Sequence, residues 1–441
     1  MTEAVRSAAA IARLSAGIRR RRAGMSASAA LLGAQLTLFG LSTAATIALS
    51  HRATVASFAA FARWNTVYVL AYAATETWSS MLLLDSRADP STASGVRAVA
   101  VVRGGVVGLA CLAGAAWGFD GPGFWWAGLL GLTAAVGTAW ADVCRTDAIA
   151  RSAVTGAAAA DLAAAAVSAA VLLALLRTPT HGGLDFLIFF VGLIGSRAVA
   201  QSVVGGGTPG LRGLRSIRPA LISVWRRNYP YTAVVTVARN VDNVVVSAIF
   251  GAMALGIYAR AYSLLLAPVV QLSAAVAPLA WRQFLRATGP ACDRIADRWI
   301  FVLAGPAYLL VLLATVGAPR LVPVLLGPQW VPAIAPMRLL SLCGAALVLQ
   351  LPALWAAQTG DRGVRPWVFA VCELIPVTVL AAASPWGFGG ALRAYTAASL
   401  TTTAALLVGG LGGGAGRRGV RLLAVLGLPL TAGAARLLGA G

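Results

Sequence analysis

Residues 226–284 read RRNYPYTAVVTVARNVDNVVVSAIFGAMALGIYARAYSLLLAPVVQLSAAVAPLAWRQF, and the class of the protein follows from them. The first half of this stretch is long and apolar enough to cross a bilayer, yet Arg239 and Asp242 lie near its middle. On an insertion scale each central Arg or Asp costs about 2.5–3.5 kcal/mol, so an isolated helix would insert poorly. The cost falls where such residues face a protein interior or a water-filled cavity.

The polar residues of this stretch share one helical face. Arg239 precedes Asp242 by three residues and Asn243 by four, which places their side chains side by side on a helix. Asn240 extends the same polar stripe, whereas valines occupy the other faces. This pattern predicts a membrane helix that lines a cavity inside the protein.

Composition places the rest of the chain in the membrane as well. Of 441 residues, 59% are hydrophobic and 11% are charged, and many apolar runs exceed the roughly 18 residues that indicate a spanning helix. The five cysteines are scattered without a CxxC pair, and both histidines lie in predicted loops. We therefore expect no disulfide framework, no metal site and no cofactor.

Apolar segments of spanning length recur along the chain, and a linker at 206–228 divides them six and six. This linker has turn-forming Gly and Pro, followed by an arginine-studded amphipathic stretch. The predicted spans are 27–50, 64–84, 98–118, 123–141, 153–176, 184–205, 229–250, 255–281, 299–318, 333–357, 366–384 and 390–412, with a weaker apolar segment at 420–440.

The division predicts an all-α polytopic membrane protein with about 12 transmembrane helices, or 13 with the last segment, in two six-helix lobes around a central cavity. Five units follow from it. They are a basic tail (1–26), an N-terminal six-helix lobe (27–205), the amphipathic linker (206–228), a C-terminal six-helix lobe (229–412), and a basic loop with a weak apolar helix (413–441).

Arginine supplies all of the basic charge, and its distribution predicts the orientation. The N-terminal tail, the linker and the connections on the same side carry most of the arginines, and we count Arg97 and Arg145 among them. The opposite connections hold little beyond Arg52, Arg177 and Arg320. By the positive-inside rule the N-terminus and the linker are expected in the cytoplasm. The net charge of +21 then reflects membrane topology and contact with anionic membrane lipids, and it does not indicate a nucleic-acid interface.

The second half of the opening stretch resembles the lipid-linked oligosaccharide flippases of the polysaccharide transport family, within the multidrug/oligosaccharidyl-lipid/polysaccharide exporter superfamily. That family shows a polar Arg–Asp–Asn cluster followed by Leu-Gly-x-Tyr-x-Arg-Ala-Tyr. The matching residues here are Leu255, Gly256, Tyr258, Arg260, Ala261 and Tyr262. The segment 325–342, LLGPQWVPAIAPMRLLSL, is similar to the family's Gly-x-x-Trp-x-Pro segment. The resemblance is sharp over roughly 226–370 and general before that.

The resemblance implies a plasma-membrane flippase that works by alternating access. It would move an undecaprenyl-pyrophosphate-linked oligosaccharide across the membrane for surface polysaccharide biosynthesis. Its partners would be that substrate, membrane lipids and glycan-assembly proteins, with no nucleic acid. A cationic cavity fits such a substrate independently, because the planar guanidinium group can donate two parallel hydrogen bonds to a phosphate.

Seven residues are candidates for contact with substrate or a coupling ion, and none is a candidate for catalysis. Each also has a structural interpretation. Arg239 and Asp242 could form a buried structural pair, and Arg260 could extend to the membrane interface. Asp161 and Glu373, which are isolated acids inside apolar spans, could hydrogen-bond a neighbouring helix. The seven candidates are Arg239, Asn240, Asp242, Asn243, Arg260, Asp161 and Glu373.

Two other functions remain open on the sequence. A membrane enzyme of glycan assembly, such as a polymerase, ligase or glycosyltransferase, would need a sizeable outer loop or an acidic pair near the outer face. The outer connections are short and hold little acid beyond Asp120 and Asp185. A drug/cation antiporter of the same superfamily usually carries an acidic residue in the cavity of the first lobe, and 27–50 has none. The charge of the cavity between the lobes would separate these functions from a flippase.

Overall fold

The apolar runs fold into helices, because a backbone in lipid has to satisfy its N–H and C=O groups within its own segment. The computed structural model describes residues 29–31, 33–79, 82–83, 90–151, 153–285, 287, 290–359, 366–409, 411 and 415–439. No strand occurs in these ranges. The predicted tail 1–26 lies outside the described residues, and so does the side chain of Arg239, whose backbone is helical.

Six helices form the N-terminal lobe. They are α1 (Ala29–Arg52), α2 (Val55–Ala74), α3 (Pro90–Gly118), α4 (Pro122–Ala150), α5 (Val154–Arg177) and α6 (Gly183–Gly205). The second helix begins earlier than the predicted span 64–84, because Thr54 caps it. The Thr54 hydroxyl accepts a hydrogen bond from the Ser57 backbone N–H at 3.1 Å, which satisfies one of the free donors of the first turn.

The C-terminal lobe follows the non-helical connection 206–210. Its helices are α7 (Leu211–Leu285), α8 (Pro290–Leu312), α9 (Ala318–Leu325), α10 (Ile334–Thr359), α11 (Pro366–Ala382) and α12 (Gly387–Gly409), and α13 (Ala415–Gly439) comes after them. A π-helical turn, Leu313–Gly317, joins α8 to α9 in one long segment, and a 3-10 turn, Pro328–Ala333, leads into α10.

Helix α7 is a hairpin of two arms, α7a before Gly251 and α7b after it. Gly251 has φ of 82° and ψ of 179°, a conformation that glycine adopts without steric cost. The Tyr258 hydroxyl donates to Asp242 Oδ2 at 2.6 Å. On a straight helix these two residues would be about 24 Å apart at 1.5 Å per residue, so the chain has to fold back between them. The apolar segment Asn240–Leu265 therefore contributes to two spans and not to one.

Eight described helical segments are long and apolar enough to cross a membrane, and the bent pair Val371–Ala382 and Ser384–Gly409 gives a ninth. With the two arms of the hairpin counted separately and α8–α9 counted as one segment, the described residues form six helices in each lobe, and α13 is additional. The prediction of an all-α polytopic membrane protein with two lobes is confirmed. The limits of the five predicted units stay predictions, as does membrane crossing by α13.

One end of the N-terminal lobe is braced by charge, and we call it the linker end. The buried Asp147 carboxylate pairs with Arg97 and, at 2.5 Å, with Arg151. Arg97 also donates to the backbone oxygen of Gly205 at 3.1 Å, so α3, α4 and α6 are joined where the linker begins. Arg97, which was counted as a loop residue, thus lies inside α3, because pairing with a buried carboxylate lowers the cost of a charged side chain within the helix.

The opposite end of the molecule, the hairpin end, contains Gly251 and the turn between α1 and α2. A Cβ added to Gly256 would lie 2.5 Å from the backbone oxygen of Val55, so α7b and the start of α2 approach each other closely. A continuous apolar core joins the two lobes here, and it includes Leu49, Phe58 and Trp330. This packing brings the hairpin against the N-terminal lobe.

Candidate functional site

A cavity of about 480 Å³ lies between the lobes. Helices α1, α2, α4 and α6 form its N-terminal wall, and α7b closes it from the other lobe. Among the described lining residues, Arg197 is the charged one. Pockets of about 300–1,000 Å³ hold small ligands, so this cavity can take the polar part of a larger molecule. Its other polar lining residues are Gln35, Ser42, Thr43, Thr46, Tyr68, Thr138 and Ser263.

Asp161 on α5 is the centre of a polar group beside this cavity. Its carboxylate is fully buried and accepts four hydrogen bonds, two at each oxygen. Arg197 Nε and Gln201 Nε2 donate to Oδ1, each at 2.9 Å. Gln35 Nε2 donates to Oδ2 at 2.8 Å, and Arg145 Nε donates to the same oxygen at 3.2 Å. A carboxylate has about four lone-pair sites, so Asp161 is saturated and ties α1, α4, α5 and α6 together.

The polar group continues across the N-terminal lobe through Asp142. This half-exposed carboxylate lies 4.0 Å from Arg197 Nη1 and accepts a hydrogen bond from the Tyr72 hydroxyl at 3.0 Å. Arg103 stacks 3.7 Å above the Tyr72 ring and pairs with Glu76 at 2.6 Å. Acids and arginines thus alternate along one side of the lobe, which lowers the cost of placing each charge in a low-dielectric environment.

Arg260 does not line the cavity but is buried on its hairpin side. The guanidinium group lies 4.8 Å from the centre of the Phe58 ring, 5.3 Å from Trp330 and 5.9 Å from Phe186. Nη2 donates to the backbone oxygen of Thr46 at 2.5 Å, whereas Nε and Nη1 have no hydrogen-bond partner among the described residues. Desolvated cation–π contacts are worth about 2 kcal/mol or more, so aromatic rings from both lobes stabilise this cation.

The same region contains a second contact between the lobes. The backbone oxygen of Ser50, near the end of α1, accepts hydrogen bonds from Trp330 Nε1 at 3.1 Å and from Gln329 Nε2 at 2.9 Å. The last carbonyls of a helix lack partners within the helix, so the C-terminal lobe satisfies this one. The Phe58 and Trp330 rings also meet edge to face at 5.5 Å. We call Arg260, Phe58, Ser50, Gln329 and Trp330 the seal.

The acids of the C-terminal lobe form a separate cluster. Asp242 is fully buried and accepts from the Tyr258 hydroxyl and, at 2.7 Å, from the backbone N–H of Asn243. Glu373 and Tyr395 are close enough to interact electrostatically with Asp242. Glu373 and Tyr395 also line a small cavity of about 20 Å³, which has room for about one water molecule.

The predicted site residues whose side chains the structure describes therefore fall into three groups and not into one cavity. Asp161 belongs to the N-terminal lobe, Arg260 to the seal, and Asp242 with Glu373 to the C-terminal cluster. Asn243 is buried beside Asp242, while Asn240 donates to the backbone oxygen of Thr236 in its own helix at 2.7 Å. The predicted pairing of Arg239 with Asp242 concerns a side chain outside the described residues. The functional roles of all seven stay predictions.

Sequence reasoning gave little weight to the residues that surround Asp161. Arg145 was counted in a loop after span 123–141, but α4 continues to Ala150 and places it inside the bundle. Arg197 was assigned to no site, although an arginine among apolar residues of a span was the available signal. Gln35 and Gln201 carry no charge and gave no signal at all. In the part of the chain that the structure describes, no three His, Cys, Asp or Glu residues come together as metal ligands would.

Residues 229–335 match the model of a family described as polysaccharide biosynthesis protein. This match lies within the stretch that carries the sequence resemblance. Three solved proteins share the architecture of this chain. The chain has a MATE/MurJ-like fold. The resemblance to the multidrug/oligosaccharidyl-lipid/polysaccharide exporter superfamily is therefore confirmed.

The three MOP-fold structures cover nearly the whole chain. The lipid II flippase MurJ in an inward closed conformation has a TM-score of 0.59 at 10% identity, covering 94% of this chain and 98% of that one. A multidrug resistance MATE family transporter in an inward-facing conformation has a TM-score of 0.55 at 12% identity, with coverages of 93% and 99%. A MOP superfamily transporter from Pyrococcus furiosus has a TM-score of 0.54 at 12% identity, with coverages of 93% and 96%. No curated protein matches the sequence.

Proposed function

We propose that this protein flips a lipid-linked oligosaccharide across the plasma membrane by alternating access, with its N-terminus in the cytoplasm. The observation that carries the proposal is the lining of the central cavity. It combines a cationic side chain, Arg197, with hydroxyl and amide groups that can hydrogen-bond a glycan, while a polyprenyl chain longer than the cavity would remain in lipid. A glycan attached through pyrophosphate combines these polar and anionic properties.

The lining also separates this proposal from a drug/cation antiporter. A site for a cationic drug would be expected to place a carboxylate against the ligand. Among the described lining residues of the cavity, no Asp or Glu occurs, and Asp161 is covered by its four donors. The match to polysaccharide biosynthesis proteins over residues 229–335 supports the same conclusion.

In the state described here, Asp242 and Glu373 lie outside the described lining of the central cavity. Asp242 and Glu373, with Asn240, Asn243 and Arg239 on the same lobe, remain candidates for contact with substrate or with a coupling ion. Arg260 holds the lobes together at the hairpin end while the cavity is open elsewhere. Asp161 positions Arg197.

The test is reconstitution of the purified protein in liposomes that contain a fluorescent undecaprenyl-pyrophosphate-linked oligosaccharide. We expect the glycan to become accessible to a glycosidase added on the opposite side of the bilayer, and the labelled molecule to stay covalently unchanged in parallel samples without glycosidase. A glycan that is lengthened or cleaved in those parallel samples would show a glycan-assembly enzyme instead. Export of a cationic dye without glycan movement would favour the antiporter.

A further inference from the structure

The guanidinium group of Arg197 is only partly used by the protein. Its Nε is held by Asp161 at 2.9 Å, and its Nη1 lies 4.0 Å from Asp142, beyond hydrogen-bond distance. Among the described residues, neither Nη atom has a hydrogen-bond acceptor. The side chain is 24% exposed and lines the central cavity. Both Nη groups are therefore available to an acceptor that enters the cavity.

The charges around Arg197 favour an anion as that acceptor. Arg145 and Arg197 share the single buried carboxylate of Asp161, so one positive charge of this trio is not neutralised within it. Asp142 offsets part of this charge, but it is 48% exposed and lies at the distance limit of an ion pair. Solvent screening weakens that interaction. An anion bound at Arg197 would thus meet a net attraction.

We propose that Arg197, oriented by Asp161, binds the phosphate or pyrophosphate group of the transported lipid. The inference rests on the proposed function, whose substrate it places inside the cavity. An arginine with a fixed Nε presents its two Nη groups as a fork, and this geometry matches two oxygens of a phosphate. Ser42 and Thr43 line the same cavity on α1, where the first sugar of the glycan can be hydrogen-bonded.

Asp161 has a positioning role in this site. Its four donors come from three neighbouring helices, so the carboxylate cannot turn towards the cavity without breaking several hydrogen bonds. The Arg197 side chain is consequently fixed at its Nε and cannot extend freely to the membrane interface. A pre-oriented cation binds an anion with a smaller loss of side-chain entropy than a free arginine would.

The test measures binding of farnesyl pyrophosphate to the purified full-length protein in detergent by isothermal titration calorimetry, with farnesol and inorganic pyrophosphate as companion probes. We expect binding of farnesyl pyrophosphate but not of farnesol. Arg197→Gln should lower the affinity at least tenfold, and Arg197→Lys should lower it less, because lysine keeps the charge but loses the fork. Arg320→Gln removes an exposed arginine outside the cavity and should leave binding unchanged.

Asp142→Asn should change the affinity for farnesyl pyrophosphate in the opposite direction. It removes the negative charge nearest to the free side of Arg197, while the amide oxygen can still accept from Tyr72. We expect farnesyl pyrophosphate to bind several-fold more tightly. If inorganic pyrophosphate binds as tightly as farnesyl pyrophosphate, the anion site is supported and the lipid chain contributes nothing to the affinity. A folded, monodisperse Arg197→Gln protein with unaltered affinity would overturn the proposal.

The flipping assay keeps this inference distinct from the proposed function. If Arg197→Gln binds farnesyl pyrophosphate and flips the lipid-linked glycan like the unaltered protein, the phosphate site is wrong and the flippase stands. If the binding changes occur as expected but the unaltered protein moves no glycan, the site stands and the flippase is wrong.

Discussion

The seal at the hairpin end can be weakened without disturbing the core of either lobe. Trp330→Phe removes the indole N–H that donates to the Ser50 carbonyl and keeps an aromatic ring against Phe58 and Arg260. Gln329→Ala removes the other donor to the same carbonyl. If alternating access separates the lobes at this end, both substitutions destabilise the state seen here relative to the state that is open at the hairpin end.

The magnitude follows from the hydrogen bonds at one acceptor. A typical hydrogen bond contributes about 1 kcal/mol, so each single variant should shift the ratio of the two states about fivefold. In the double variant the Ser50 carbonyl, which belongs to a fully buried residue, has neither side-chain donor. An unsatisfied buried acceptor costs a further 1–3 kcal/mol or so. The double variant should therefore shift the ratio about a hundredfold or more, which exceeds the product of the single effects.

The assay is a distance measurement between spin labels at the hairpin end of each lobe. Arg177 and Trp386 are both exposed there and can carry the labels in a variant without the native cysteines. We expect a longer distance to appear in each single variant and to dominate in the double variant. Trp355→Phe is the matched control, because Trp355 is buried within the C-terminal lobe and packs on Trp299, so it should leave the distances unchanged.

The double variant decides the outcome. If it remains monodisperse and its distance distribution equals that of the unaltered protein, these contacts do not hold the lobes together, and the assignment of the seal is refuted. Strictly multiplicative effects of the two substitutions would refute the narrower claim that both donors satisfy one carbonyl.

Three further outcomes are expected. Tyr258→Phe should lower the free energy of unfolding by about 1–3 kcal/mol, because the buried Asp242 loses a donor, and Asp242→Asn in addition should restore part of the melting temperature in detergent. Arg421→Gln should cost about 3–5 kcal/mol and make α13 sensitive to protease, since Arg421 is buried against Asp297, whereas Asp297→Asn in the same chain should recover stability. A single cysteine at Arg215 should react with an impermeant maleimide only in opened cells; reaction in intact cells would reverse the orientation.

The fold was predictable from the sequence because length and hydropathy decide membrane helices almost alone. The hairpin was not predicted in its detail. A helical repeat places Asp242 on a polar face with Arg239, but it says nothing about a partner on the next helix. Tyr258 becomes that partner because the chain reverses at Gly251, a glycine within an apolar run that has no polar turn residues around it.

The candidate site was less predictable for a related reason. Asp161 and Arg197 are separated by most of α5 and α6, so their ion pair depends on how two helices pack and not on local spacing. Arg145 was assigned to a loop because a charged residue usually ends an apolar span. A buried carboxylate removes that constraint, since a paired arginine can remain inside the bundle. A helix end that is placed at the first charged residue is consequently placed too early wherever that residue pairs with an acid on another helix.

The way the acids are enclosed explains how the cavity can be cationic although both lobes contain buried carboxylates. Two unit charges 4 Å apart interact by about 4 kcal/mol at an effective dielectric constant of 20, so an unscreened acid in the cavity lining would largely cancel Arg197. Asp142 lies 4.0 Å from Arg197 Nη1, but it is 48% exposed and outside the described lining, so solvent screens its charge. Asp161 is instead enclosed by its four donors, and Asp242 is fully buried behind Tyr258, outside the lining of the central cavity. Each carboxylate therefore acts mainly on the groups that enclose it. Substrate charge should then be recognised by the N-terminal lobe, and any dependence of transport on protons or metal cations should change with substitutions in the C-terminal cluster.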